Sequence, residues 1–139
     1  MKIFIDTNII LDMIEPKRPG SESSAVLFEL ARKNKIELFL STQSILDSYY
    51  ISANLGLQRG ELDILTDWIL HHLNVRHITS FDIKQALVQN NPDIEDNAQI
   101  SLAEGEDCDY FVTNDRGILK RGAQDEMIFI NPEQIINML

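Results

Sequence analysis

Two tripeptides carry side chains that could act together: Asp6-Thr7-Asn8 near the start of the chain and Thr113-Asn114-Asp115 near its end. Each places a carboxylate among short polar residues directly after an apolar run, Ile3-Phe4-Ile5 in one case and Tyr110-Phe111-Val112 in the other. Two further sources of carboxylate lie between them: Asp47, and the group Asp93, Glu95 and Asp96. Carboxylates held a few ångströms apart repel, so their pKa values rise or a cation is taken up. Mg²⁺ and Mn²⁺ are hard ions that prefer such oxygen ligands and keep several waters. An ion in that setting activates water and stabilises charge on a phosphodiester under attack. Thr7, Asn8, Thr113 and Asn114 would then supply the hydrogen bonds that hold the carboxylates in place.

Each acid also has an ordinary explanation. An Asp ahead of a helix is a common N-cap, which covers Asp6. Asp115 reads equally as a turn residue before Gly117. Acids in a first helical turn are favoured by the helix dipole, so Asp93, Glu95 and Asp96 are by default solvated. Asp47 is more informative, because it falls beside the apolar stripe of its helix.

The elements that would position these residues alternate along the chain. Strands are expected at Lys2 to Ile5, Ile36 to Leu40, Val75 to Ile78, Tyr110 to Thr113 and Met127 to Ile130. Three of these runs are continuously apolar, as strands buried on both faces of a parallel sheet should be. Helices are expected between them. Ser23 to Asn34 would bury Val26, Leu27, Leu30 and Ala31; Thr42 to Leu55 would bury Leu46, Tyr50 and Ala53; Glu61 to Leu73 would bury Leu62, Leu65, Ile69 and Leu73. Ser80 reads as the cap of a helix carrying Ile83, Ala86 and Leu87. Asn91-Pro92 and Asn131-Pro132 each read as a cap followed by proline at the first helical position, and Gly105 as the end of the helix that Asn91-Pro92 opens. Loops are expected at Glu15 to Gly20 and Asp115 to Gly122. This alternation implies an α/β fold, a parallel sheet with helices on both faces, formed by one domain over residues 1–139. Ligands of such sheets bind beyond the carboxyl ends of the strands, where the acids stand.

The composition sets outer limits. The 139 residues are 44% hydrophobic and 24% charged, an ordinary globular balance. No apolar run approaches a membrane span, the N-terminus meets Asp6 too early for a signal-peptide core, and the one cysteine, Cys108, has no internal partner; a cytoplasmic protein is expected. A formal charge of −10 argues against a broad basic nucleic-acid surface, so bound metal or a basic partner must offset the acids if nucleic acid is to bind.

Taken together, Ile3-Phe4-Ile5-Asp6-Thr7-Asn8-Ile9-Ile10-Leu11-Asp12, Ser44-Ile45-Leu46-Asp47, Asp93-Ile94-Glu95-Asp96-Asn97-Ala98 and Cys108-Asp109-Tyr110-Phe111-Val112-Thr113-Asn114-Asp115 make the chain similar, over essentially its whole length, to the PIN-domain family, including the VapC-type toxins of toxin–antitoxin pairs. The resemblance implies a three-layer sandwich around a five-stranded parallel sheet of order 3-2-1-4-5. It implies a metal-dependent ribonuclease, using Mg²⁺ or Mn²⁺, whose four acids are Asp6, Asp47, Asp96 and Asp115. Thr113 would position a metal water or phosphate, and Asn8 would be the structural asparagine beside the first acid. RNA as substrate, a small antitoxin as partner and a homodimer through helices of the first half are implied as well. Two departures stand out. Asp47 occupies a position that is most often Glu, which shortens its reach by roughly an ångström or more. Arg116-Gly117-Ile118-Leu119 follows Asp115 where an Asp-Phe pair is common, so an auxiliary acid there is missing. The alternative reading is a catalytically weak or inactive PIN-like module that binds RNA or protein.

Arg116, Lys120 and Arg121 follow Asp115 closely and are candidates for phosphate contacts, or simply a solvated loop. His71 and His72 suit the end of a helix, and His77 a strand. Trp68 and Tyr49-Tyr50 fit helix packing better than base stacking. Cys108 has no base nearby in sequence and is a poor nucleophile candidate. A phosphotransfer receiver would need a Lys after the last strand, and a haloacid-dehalogenase-like phosphatase a second Asp at position 8; the chain has neither.

Overall fold

The structure, a computed structural model, describes residues 1–139. Its first strand, β1 (Lys2–Ile5), lies at the centre of the sheet and feeds α1 (Thr7–Ile14) and α2 (Ser21–Arg32). Strand β2 (Glu37–Ser41), helices α3 (Thr42–Asn54) and α4 (Arg59–His72) and strand β3 (Asn74–Arg76) build one wing. Helices α5 (Ser80–Leu87) and α6 (Ile94–Gly105) then cross to β4 (Tyr110–Val112). The chain ends with α7 (Arg116–Leu119), β5 (Ala123–Gln124), β6 (Met127–Ile130) and α8 (Pro132–Met138). The strand order is β3-β2-β1-β4-β6-β5.

Every pairing is parallel except β5 with β6. The run expected as the fifth strand is β6, and it takes the place next to β4. The sheet therefore follows the expected order with one addition, a two-residue edge strand, Ala123–Gln124, that folds back antiparallel on β6. Asp125 closes that hairpin with a positive φ of 54°, a conformation Asp tolerates. So short a strand has no hydrophobic period to read in sequence.

Strand periodicity sorts the core into two layers. Ile3, Ile5, Leu38, Leu40, Val112 and Ile130 face one way, against α1, α2, α3, α4 and α8. Phe4, Phe39, Phe111 and Phe129 face the other way, against α6 and α7. Register places Phe39, Phe4, Phe111 and Phe129 in a row across the four central strands. Phe4 stacks on Phe111 at 5.3 Å, and Phe111 meets Phe129 edge-on at 5.8 Å. Such pairs add about 0.5–1.5 kcal/mol beyond their buried area, so this row fixes register where the acids leave the sheet.

Several helix expectations are corrected. In α3 the buried residues are Ser44, Ile45, Ser48 and Ser52, while Leu46 and Tyr50 are 66% and 70% exposed and Ala53 is exposed. Serines are small enough to let α3 lie close against α1, so close approach outweighs apolar periodicity. In α5, Asp82 and Ala86 are buried and Ile83 and Leu87 exposed; in α2, Val26 is exposed. The cap of α5 is Thr79, not Ser80, because Asp82 reaches back to the Thr79 N–H (2.9 Å) and completes a capping box. The cap of α6 is Asp93, not Asn91; its carboxylate accepts from the Asp96 N–H (3.1 Å), while Asn91 Oδ1 accepts from the Asp93 N–H (3.2 Å). The stretch after Asp115 holds α7 rather than loop alone. Asn131 caps α8 with Pro132 next, as expected.

Candidate functional site

Asp6 leaves β1 at the carboxyl end of the sheet and caps α1. Its carboxylate accepts from the Thr7 N–H (2.7 Å), from Asn8 Nδ2 (3.2 Å) and from Thr113 Oγ1 (2.8 Å). It is 5% exposed. Burial raises its pKa most; the hydrogen bonds from Thr113 and Thr7 oppose this, and the charges of Asp115 and Asp93 add to the rise. The cap and the candidate ligand are thus one side chain.

Thr113 joins the two tripeptides. Fully buried just past β4, its hydroxyl donates to Asp6 and accepts from the Asp115 N–H (3.0 Å) and Asn8 Nδ2 (3.3 Å). Asn8 Oδ1 accepts from the Asn114 N–H (3.2 Å). Asp115 caps α7, with Oδ1 accepting from the Gly117 and Ile118 N–H groups (2.8 and 3.2 Å).

The third contribution comes from the start of α6. Burial, then the charges of Asp6, Asp93 and Asp115, push the Asp96 carboxyl up to about 7. Glu95 is also pushed up to about 7, first by a hydrogen bond with Asp47, then by burial and the charges of Asp47, Asp93 and Asp6. Asp47 itself accepts from Gln43 Nε2 (3.0 Å). Asp6, Asp96 and Asp115 therefore share one electrostatic neighbourhood with Asp93, and Asp47 is joined to it through Glu95.

No ion pair neutralises this group. The basic partners in the molecule sit on Asp12, Glu29, Asp63, Asp67 and Glu106 instead. All donors are oxygens of hard character, a set suited to Mg²⁺ or Mn²⁺ and unsuited to softer metals. No three His, Cys, Asp or Glu side chains already close on one point as a cage. Asp93, Asp96 and Asp115 border a cleft of about 570 Å³, together with Ile118, Arg121 and the Gln89–Asn91 loop; Asp6, Asp47 and Glu95 do not line it. An ion that keeps several waters is compatible with so open an arrangement.

Of the three basic residues after Asp115, Arg121 lines the cleft, with its guanidinium 5.0 Å from the Phe129 ring centroid. Arg116 and Lys120 are exposed at the ends of α7 and do not line it. His71 sits beside the Asp67 carbonyl in the last turn of α4, and His72 packs on Trp68. Burial, chiefly, pushes the Cys108 thiol up to about 12, so it is no nucleophile at neutral pH.

The sequence groups Asp93 and Glu95 with Asp96 but assigns a role to Asp96 alone; the link from Glu95 to Asp47 is new. Two further features have no such announcement. Asp12, an acid inside the apolar run Ile9–Ile14, is 3% exposed and held by Arg18 Nε and Asn114 Nδ2, both at 2.6 Å. It anchors Asn114, the neighbour of Asp115. Thr7, Ser41, Ser44 and Gln99 form a polar network under the site: Thr7 Oγ1 and Ser44 Oγ lie 2.8 Å apart, and Ser44 Oγ donates to Gln99 Oε1 (3.2 Å) and accepts from Ser41 Oγ (3.0 Å). It ties α1, α3 and α6 together, and nothing local in the sequence announces Gln99.

Comparison with known proteins identifies the family and the fold. A family model described as PIN domain matches residues 2–117. Ribonuclease VapC1 of Aquifex aeolicus (strain VF5) is 25% identical over 120 residues, 83% of this chain and 82% of the relative. Among solved structures, Mycobacterium tuberculosis VapC20, described as a sarcin-ricin loop cleaving toxin, aligns with a TM-score of 0.64 at 14% identity, over 78% of this chain and 86% of its own. VapBC2 from Rickettsia felis, solved bound to a DNA fragment from its promoter, aligns with a TM-score of 0.66 at 19% identity, over 94% and 98%. PAE2754 from Pyrobaculum aerophilum gives 0.67 at 15% identity, over 99% and 88%.

Proposed function

The chain belongs to the PIN domain family, and from that premise we propose that it is an endoribonuclease that depends on Mg²⁺ or Mn²⁺. One observation carries the reading: acids from the end of β4 and the start of α6 line one cleft, the buried Asp6 from the end of β1 adds its charge to theirs, and none has a basic partner. Asp6, Asp96 and Asp115 are the residues that would hold the ion, with Asp47 acting through Glu95 or directly. A bound ion supplies Lewis acidity and lowers the pKa of its water. The chain's own part is positional. Thr113 and the Thr7 N–H hold the Asp6 carboxylate, Asn8 bridges Asp6 to Thr113, and the α7 N–H groups hold Asp115. Arg121 offers the cleft's cation to the RNA backbone.

The likeness to Ribonuclease VapC1, and to structures that include a VapBC2 pair, supports placing the protein as the toxin of a toxin–antitoxin pair. A small antitoxin would quiet such a cleft by presenting Lys or Arg to acids that lack a partner. A homodimer fits the exposed Leu46, Tyr50 and Ile51 of α3 and the exposed Leu55 that caps it. No helix is long and apolar enough to cross a membrane; action in the cytoplasm, where RNA is available, is part of the proposal. The second reading, a weak or inactive binding module, is favoured by Asp47, whose short side chain is engaged by Gln43 and Glu95.

Incubation with RNA separates the two. The nuclease reading expects cleavage in Mn²⁺ that stops with chelator and in the Asp6→Asn variant. Cleavage surviving both would place the activity elsewhere; RNA binding without cleavage in any divalent ion would favour the binding module.

A further inference from the structure

The acids form only part of the cleft. Another part is the loop between α5 and α6, where Gln89, Asn90 and Asn91 all line the space. This loop is mounted rigidly. The buried Asn97 donates from Nδ2 to the carbonyls of Ala86 (3.2 Å) and Asn91 (2.7 Å), clamping both stems, and Asn91 Oδ1 receives the Asp93 N–H. Between the clamped stems stand Gln89 and Asn90, whose side-chain amides make no hydrogen bond within the protein, as does the Asn91 amide nitrogen. Three consecutive neutral amides thus share the cleft lining with three carboxylates, Arg121, Gly117 and Ile118 in a chain of net charge −10, and in Gln89 and Asn90 both donor and acceptor are uncommitted.

Amides of this kind pair with the edges of bases, which present donors and acceptors side by side. The cleft volume of about 570 Å³ is that of a small-molecule pocket rather than a groove for a helix. In an RNA duplex the informative edges are hidden, whereas unstacked loop or single-stranded bases expose theirs. We propose that Gln89 and Asn90 form a base-reading wall that selects one unpaired nucleobase next to the phosphate cut at the acidic side. This rests on the nuclease reading and adds to it the residues that choose the base beside the cut. The clamp on Asn97 supplies the preorganisation that such selection needs.

The test uses a pool of random-sequence RNA in two arms. In Mn²⁺, cut ends are sequenced for the wild-type protein, Gln89→Ala, Asn90→Ala, the double variant and Asn90→Asp. In Ca²⁺, used as a substitute ion to favour binding over cutting, bound sequences are selected and counted for the same proteins. The wall predicts a preference at one position beside the cut that flattens about tenfold in the double variant, the scale of one amide–base pair. Asn90→Asp, which replaces a donor by an acceptor, shifts the preference toward bases with an exocyclic amino group. Both residues are at the surface of a loop, and melting curves matching wild type confirm that the variants fold. An unchanged sequence profile in the double variant overturns the wall while leaving the nuclease reading intact, as does equal cutting of the same site in duplex form. Base-selective binding that the variants lose, without any cleavage, removes the nuclease reading and leaves the wall standing.

Discussion

Asp6 shows how one residue resolves two readings that the sequence presents as rivals. It caps α1 and feels the charges of Asp115 and Asp93 because β1 ends where α1 begins, at the sheet edge where those acids also stand. Thr113 is its counterpart, a hydroxyl that satisfies Asp6 and Asp115 at once. Thr113→Val keeps the shape, removes one of the three donors to Asp6 and leaves the Asp115 N–H without its acceptor; a loss of about 1–3 kcal/mol in urea unfolding is expected. Asp96 behaves oppositely. Burial and its acidic neighbours raise its pKa to about 7. Asp96→Asn should therefore melt higher than wild type at pH 8 without metal. Its cleavage should fall by more than the about 10–100-fold typical of an outer partner of a metal ligand. The sign of the pH effect follows from the same shifts. Asp96 and Glu95 hold protons in the folded chain up to about 7, whereas unfolded carboxyls release them near 4. Between those values the folded state binds more protons, so metal-free stability falls as pH rises. Melting temperatures measured from pH 5 to 8 should decline without metal and recover with Mn²⁺, and cleavage should rise through about pH 7 as the ligands ionise.

At the scale of elements, two placements matter most. The loop between α1 and α2 is drawn onto the sheet end by Asp12, which binds Arg18 and Asn114. Gly20 makes room for this. Its φ is −84°, so backbone freedom is not the reason; a Cβ there would lie 2.2 Å from Asp12 Oδ2. Asp12 is pinned on both oxygens and cannot swing aside cheaply. Gly20→Ala should cost about 1–3 kcal/mol, the usual penalty of overpacking, and should lower cleavage by loosening Asn114. Urea unfolding and turnover measured on the same preparation check both. The other placement is α3, which turns serines inward and Leu46 and Tyr50 outward. The apolar count along α3 misled the sequence reading because close helix approach selects small residues, whatever their polarity. The same helix then presents Asp47 toward α6 through Glu95 rather than straight into the cleft.

For the whole molecule, charge sets how RNA is met. With a net charge of −10 and one cation, Arg121, lining the cleft, few phosphates are neutralised directly. Each released counterion contributes a slope of about −0.7 in log affinity against log salt for a single strand. A shallow slope of about −1 is expected in fluorescence anisotropy in Ca²⁺, and a slope of several units would require a basic surface that the chain lacks. The exposed α3 face gives a second expectation at this scale. Light scattering should report a dimer, and Tyr50→Asp, which puts a charge on a side chain now 70% exposed, should shift it toward monomer without lowering the melting temperature of the protomer. A wild-type monomer at high concentration removes the dimer proposal.

The amino-acid sequence by itself determined the α/β class and the family, and the strand order only through the family resemblance. The class follows from local patterns: apolar runs of strand length, caps, prolines, and acids placed directly after strands. The sequence also pointed to Asp6, Thr113 and Asp115, because a residue at a strand's carboxyl end is placed by the strand itself. Tertiary structure alone decided the rest. Gln99, Asp12 and the Asp47–Glu95 pair acquire meaning only when α1, α3 and α6 meet, and no spacing along the chain encodes that meeting. The same holds for the Gln89–Asn91 loop, which borders the acids because Asn97 clamps it there. Local chemistry is written residue by residue, whereas proximity between distant residues is set by packing, and the cleft is made by packing.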